Sequence, residues 1–172
     1  MSSFATSYIP TVASTVTRAA DQASMQGTNF SSWYNQSQGT VYGEFDLINA
    51  STVSMIPYSI DNTVSNGYVI YKNLSGSSLF GYAGSNNGLL LNGTTLANTI
   101  YKTTIAYGTS IFANVNGATP VSITSGGLTG VLPSLLAIGH GFISNGIMTG
   151  HIRKLSYYPV ALSSNNLVAL TS

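Results

Sequence analysis

Residues 40–47 read TVYGEFDL. Side chains of a β-strand alternate between two faces, so Val41, Gly43, Phe45 and Leu47 point one way and Tyr42, Glu44 and Asp46 the other. One apolar and one polar face is the pattern of a half-buried strand. With two carboxylates on it, the second face reads as a polar edge turned to solvent.

The rest of the chain keeps this rhythm. Short runs rich in Val, Ile, Tyr, Phe and Thr recur roughly every 8–12 residues, divided by Gly and Asn. Strands are predicted near 51–57, 67–73 and 78–83. Another is predicted over 99–107, where Tyr101, Thr103, Ile105 and Tyr107 stand opposite Ile100, Lys102, Thr104 and Ala106. Asn92-Gly93 and Asn116-Gly117 each predict a hairpin, because both residue types accept positive φ. Two later runs follow, SLLAIGHG (134–141) and MTGHIRKLSYYP (148–159). In the second, Ile152, Leu155 and Tyr157 break strict alternation, which predicts a β-bulge near Arg153-Lys154. Pro159 ends that strand. The tail SSNNLVALT (163–171) predicts a two-turn helix capped by Ser163, with Leu167 and Leu170 as its apolar pair. Many short strands with a single short C-terminal helix describe an all-β protein, an antiparallel β-sandwich jelly roll of one domain over residues 1–172.

Composition narrows the function classes. Only 5% of residues are charged, against about 25% in an ordinary globular domain. Hydroxyls and amides must then carry solubility, and such a surface is poorly protected against association, so the chain reads as part of an assembly. A net charge of +1 argues against nucleic acid, whose binding depends on neutralising phosphates. There is no cysteine, so disulfides and thiolate metal sites are excluded. No apolar run reaches the ~18 residues of a membrane span, so membrane insertion is not expected. Five Asn-x-Ser/Thr sequences, at Asn29, Asn35, Asn49, Asn73 and Asn92, are what this composition produces by chance.

Two places concentrate aromatic and polar side chains. FSSWYNQSQGT (30–40) holds the only tryptophan, Trp33, beside Tyr34, Asn35 and Gln36. Flat rings beside neutral amides suit a sugar; equally, Trp33 can bury its ring on the sheet while Asn35 and Gln36 satisfy loop backbone groups. In that second case Tyr34, facing the other way, is left to bind. The other concentration is Arg153-Lys154 with Tyr157-Tyr158, where a guanidinium can stack on a ring and bind sugar hydroxyls or an acidic sugar's carboxylate. Trp33, Tyr34, Asn35, Gln36, Arg153 and Tyr158 are therefore the candidate ligand-binding residues. Arg18 and Asp21, three apart in TRAAD, read as a structural ion pair across a turn.

SYIPTVASTVTRAADQASM, FSSWYNQSQGTVYGEF and GHIRKLSYYPVALSSNNLVALT together resemble the concanavalin A-like (laminin-G-like) jelly-roll domain of bacteriophage tail fibre and tail-tip proteins. The resemblance spans residues 7–171, although 50–140 matches only in rhythm. It implies a module of a virion, made in the host cytoplasm, with other tail subunits as partners and a homotrimeric assembly. It also implies a domain that follows another jelly roll, so the chain is either the C-terminal end of a longer tail protein or a short standalone version. Two jobs follow. The module binds a host cell-surface glycan or receptor, or it braces or caps a fibre without touching glycan.

Some jelly rolls of this shape cleave glycans. Laminarinase-type relatives carry Glu-x-Asp-x-x-Glu on one strand, and GEFDLIN offers Glu44 and Asp46 with Asn49 in the third position. The second catalytic carboxylate that retaining hydrolysis requires is missing, so no enzyme is expected and no catalytic residue is assigned. His140 and His151 lie in no nucleophile-elbow or zinc spacing. Laminin-G-like folds often bind calcium, which takes six to eight oxygens. Asp61-Asn62 and Asn86-Asn87 offer some, but without an acidic cluster no metal or cofactor is expected.

Overall fold

The computed structural model describes residues 23–48, 54–62, 67–73, 79–83, 87–123, 128, 132–141 and 146–172. Arg18, Asp21, Asn49 and Asn86 lie outside them, and so does the proposed Arg18–Asp21 pair.

The 40–47 pattern extends into β2 (Gly39–Leu47), whose apolar face puts Val41, Phe45 and Leu47 into the core. β2 is not an edge. It lies in a five-stranded antiparallel sheet of order β11-β2-β7-β8-β9, with β7 at Ile100–Tyr107, β8 at Ile111–Val115, β9 at Val121–Ile123 and β11 at Gly150–Tyr158. The expected solvent-facing edge at Glu44 and Asp46 is thus corrected: strands flank both sides of β2, Asp46 is buried in contact with the His151 and Arg153 side chains of β11, and Glu44 is half-buried. Against this sheet packs a six-stranded one of order β1-β10-β3-β4-β5-β6. Its strands are β1 (Ala23–Gln26), β3 (Met55–Asp61), β4 (Gly67–Lys72), β5 (Leu79–Ala83), β6 (Asn87–Asn92) and β10 (Leu135–Ile138).

The core fills the space between the sheets. β7 contributes Tyr101, Ile105 and Tyr107 from the face its alternation predicts, and β3 and β4 supply Tyr58, Ile60, Tyr68 and Ile70. Tyr68 and Tyr107 stack across the gap with ring centroids 4.2 Å apart. The bulge falls where expected: register shifts between Ile152 and Lys154, which keeps Ile152, Leu155 and Tyr157 on the inward side.

The Asn-Gly pairs at 92–93 and 116–117 behave differently. β8 and β9 form the predicted hairpin, turning on Asn116 (φ 46°) and Gly117 (φ 71°). Asn92-Gly93 does not turn a hairpin, since β6 and β7 belong to different sheets. The chain crosses between layers there, and Asn92 Oδ1 accepts the Thr94 amide instead. The strand expected from 51 begins at Met55 and runs to Asp61; residues 51–53 are not described.

α2 (Ser164–Thr171) is the predicted tail helix. Ser163 occupies its N-cap position but makes no side-chain cap bond; only its carbonyl accepts the Leu167 amide. The helix is held on the outer face of β7 and β8 largely by neutral polar groups, with Lys102 Nζ also donating to the Ser172 backbone oxygen at its end. Asn114 Nδ2 donates to Thr171 Oγ1 (2.8 Å), which also accepts the Gly117 amide (3.1 Å), while Thr104 Oγ1 donates to Asn114 Oδ1. Leu162 N donates to Thr40 Oγ1 (3.0 Å), pinning the segment ahead of the helix. The charge-poor composition thus reappears here chiefly as hydroxyl and amide joints.

Candidate functional site

The stretch FSSWYNQ is not an extended loop. Residues 28–31 form a helical turn, α1 (Thr28–Ser31), and the pattern runs on as Tyr34 N donates to Phe30 O (3.2 Å). Helical spacing puts i, i+3 and i+4 on one side. Phe30, Trp33 and Tyr34 therefore all turn toward the sheets, and the expectation that Tyr34 faces away from Trp33 is overturned. Phe30 and Tyr34 stack at 4.5 Å, and Trp33 meets Phe30 edge-on at 5.0 Å and Tyr157 at 4.8 Å.

Polar atoms here are largely engaged in the scaffold. Trp33 Nε1 donates to Asn29 O (2.6 Å) and lies 3.1 Å from Met25 Sδ. Asn35 N donates to Tyr157 Oη (2.9 Å), its side-chain nitrogen to Pro159 O (3.2 Å), and its Oδ1 accepts the Ser37 amide (2.9 Å). The Asn35 carbonyl accepts the Tyr107 hydroxyl (2.7 Å), which lies 2.9 Å from that of Tyr157. Asn35 thus ties the loop to β7, to β11 and to the chain beyond Pro159. Burial, aided by the Tyr157 hydroxyl, pushes the Tyr107 phenol far above its ordinary value, so it stays a neutral donor. Burial likewise raises Tyr34. Its hydroxyl stands near that of Tyr107 but makes no hydrogen bond of ordinary geometry.

Two hollows flank this bracket. One, of about 130 Å³, is almost wholly apolar and lies between the sheets against Trp33, Leu155 and Tyr157. The other is an open cleft of about 440 Å³ lined by Gly27, Phe30, Ser31, Tyr34, Gln36, Pro133 and Ser134. Gln36 is exposed, and with Ser31 and Ser134 it gives the cleft neutral hydrogen-bonding groups beside an aromatic wall. Of the candidate residues, Tyr34 and Gln36 therefore share a cleft, Trp33 and Asn35 build its support, and Phe30, Ser31 and Ser134 are additions sequence reasoning missed.

Arg153 and Tyr158 sit elsewhere, on the outward face of β11. Tyr158 pairs with Thr40; Arg153 lies at the bulge, five residues away or roughly 16 Å along a strand. Arg153 contacts Asp46 through Nε (3.0 Å) and Nη2 (2.9 Å), both on Oδ1. His151 Nδ1 lies 3.0 Å from Oδ2, and because an ionised carboxylate only accepts, that nitrogen carries the proton. The Asp46 side chain is 7% exposed, against 65% for His151 and 47% for Arg153. Beside this trio Lys154 Nζ stands 5.5 Å from the Tyr42 ring centre, and Tyr42 donates to Glu44 (3.1 Å). Burial, with the Glu44 carboxylate adding, pushes the Tyr42 phenol up to about 12.

The hydrogen bond from His151 holds the Asp46 carboxyl below its ordinary value; burial opposes this, and Arg153 adds a bond and a charge. A carboxyl so stabilised as its anion is a poor general acid. Its folded pKa is depressed, so its stabilisation is present above the unfolded carboxyl value, near 3.9, and is lost as pH falls through the folded one. In urea melts from pH 6 to pH 2, the stability gap between the wild type and Asp46→Asn should narrow steadily below about pH 4. A gap independent of pH would remove the ion-pair account.

Of the oxygens weighed for calcium, Asn86 lies outside the described residues. Asp61 and Asn62 are buried, and no group of three His, Asp or Glu side chains gathers among the described residues.

No protein-family model and no curated protein matches this sequence. Solved structures do match the fold. The carbohydrate-binding module CBM40 of the Ruminococcus gnavus IT-sialidase, bound to α2,3-sialyllactose, superposes with a TM-score of 0.63 at 12% identity, over 80% of this chain and 84% of that one. The fold is shared. A heptameric SAP-like pentraxin from Limulus polyphemus gives 0.59 at 14% identity, over 79% of this chain and 70% of that one. Botulinum neurotoxin type C, whose cell entry depends on two ganglioside molecules, gives 0.61 at 11% identity, over 87% of this chain but 39% of that one. The all-β jelly-roll reading is thereby established, and proteins that engage glycans are among those that share it.

Proposed function

We propose that this domain is a non-enzymatic glycan-binding module of a phage tail, which attaches the virion to host-surface carbohydrate. The observation that carries the reading is the open cleft beside α1, where an aromatic wall meets the neutral groups of Ser31, Gln36 and Ser134. Neutral amides and hydroxyls match sugar hydroxyls, and a rigid ring matches a pyranose face. Structural neighbours that engage sialyllactose or gangliosides support carbohydrate as the ligand class. Support for the tail comes from the sequence resemblance, through WYNQS (33–37) and the closing HIRKLSYYP (151–159). A site of this size binds weakly alone, and display on a homotrimer raises its avidity.

The test is a calorimetric or NMR titration with host polysaccharide and its neutral monosaccharides. Millimolar binding is expected, weakened about 3–10-fold by Gln36→Ala, which removes one or two hydrogen bonds. No binding at millimolar sugar would leave the domain a bracing or capping module. Light scattering on concentrated protein checks the trimer; a monomer throughout would count against it.

A further inference from the structure

Of the chain's five basic and four acidic residues, Lys102, Arg153, Lys154, Glu44 and Asp46 share one face of one sheet. Among the described residues this is where charge is concentrated. The arrangement is layered. Asp46 lies beneath, nearly closed to solvent, with His151 and Arg153 above it and open. Glu44 is half-buried and takes the Tyr42 hydroxyl, while Lys154 is exposed. An approaching ligand therefore meets donors first.

Arg153 is held in a particular way. A guanidinium has five N–H groups in a planar fork. The edge formed by Nε and Nη2 is engaged by Asp46, which leaves the end-on edge, one N–H from each terminal nitrogen, turned away from it. That edge fits a second carboxylate bidentately. The β-bulge re-aims Arg153 onto Asp46, so the fork is positioned before any ligand arrives. His151 and Lys154 lie to either side of Arg153 along β11, both exposed.

We propose that the outward face of β11 and β2 is a second binding site, which takes a carboxylate-bearing sugar through the free edge of Arg153 with His151 and Lys154 flanking. It shares no residue with the cleft beside α1, and it extends the glycan reading from neutral to acidic saccharides.

The test titrates the full chain with D-glucuronate, D-glucose and acetate, followed by NMR. Glucuronate should bind at least ten-fold more tightly than glucose, and more tightly than acetate. Binding should weaken several-fold between 50 and 500 mM salt, because the site is exposed. Arg153→Gln should reduce glucuronate binding to the level of glucose. Arg153→Lys keeps the charge but loses the fork, and should lose at least five-fold. Glucuronate binding lost with Gln36→Ala but kept with Arg153→Gln would place it in the cleft beside α1 and overturn the second site, so failure at the cleft and failure here are separable. Unfolding midpoints of both Arg153 variants show whether each is folded. Glucuronate bound no better than glucose, or equally well by Arg153→Gln, would overturn the proposal. Acetate bound as tightly as glucuronate would overturn the assignment to a sugar.

Discussion

Gly43→Ala should cost at least ~3 kcal/mol of stability, at or beyond the upper end for overpacking in a closed core. The reason is the meeting of the two sheets. A methyl group at residue 43 would stand 2.1 Å from Tyr58 Cε1 and 2.8 Å from its Cδ1. Tyr58 cannot swing aside easily: it is 1% exposed, and its hydroxyl lies 2.9 Å from Thr103 Oγ1 on β7, the strand beside β2. Gly43 has Leu155 on one side and Thr103 on the other, so the Tyr58 ring of the opposite sheet lies over the one position in this row without a side chain. The collision is specific, and so is its relief. Gly43→Ala combined with Tyr58→Leu should be less destabilised than the two single changes added together, with a coupling above ~1 kcal/mol. Urea midpoints of the four proteins test this. A wild-type midpoint for Gly43→Ala would mean that the sheets do not approach so closely at this point.

That contact shows what the sequence could and could not disclose. Period-2 patterning assigns Gly43 to the inward face together with Val41 and Phe45, and the inward face is where the structure puts it. The partner on the opposite sheet depends on register and layer geometry, which patterning does not contain. The Asn-Gly pairs show the same limit. Asn116-Gly117 turns between strands that pair, whereas Asn92-Gly93 lies where the chain passes from one sheet to the other; the residue types are the same in both, but only Asn116 and Gly117 take positive φ. At the site, the failure has a single cause. Extended backbone would put Trp33 and Tyr34 on opposite sides, and one helical turn at 28–31 reverses that. The signal was present as the spacing of Phe30, Trp33 and Tyr34, but one turn is too short to raise helical periodicity above the surrounding β pattern. The Asp46–His151–Arg153 trio needed the pairing of β2 with β11 across more than a hundred residues, while the bulge that aims Arg153 was legible from Ile152, Leu155 and Tyr157.

Tyr157 decides whether WYNQS is a scaffold. Tyr157→Ala should cost about 3 kcal/mol, the lower end for truncating a large aromatic, because the ring is only partly buried. The loss would combine the Trp33 contact at 4.8 Å, the acceptor of the Asn35 amide and the partner of the Tyr107 hydroxyl. Tyr157→Phe keeps the ring and removes only the oxygen. It strands the part-buried Asn35 N–H and should cost about 1–2 kcal/mol. Trp33, the single tryptophan, supplies the readout. In Tyr157→Phe its emission should stay at the wild-type wavelength, since the ring that covers it remains. In Tyr157→Ala the emission should move to the red, because the apolar hollow between Trp33 and β11 then opens to water. Gln36→Ala, at the exposed end of the same stretch, should leave both emission and stability within ~0.5 kcal/mol of wild type. This gradient, large at residue 157 and absent at residue 36, is what a loop braced through Trp33 and Asn35 requires. Were Trp33 a ligand platform, truncating Tyr157 would leave the unfolding midpoint almost unmoved and alter sugar affinity instead.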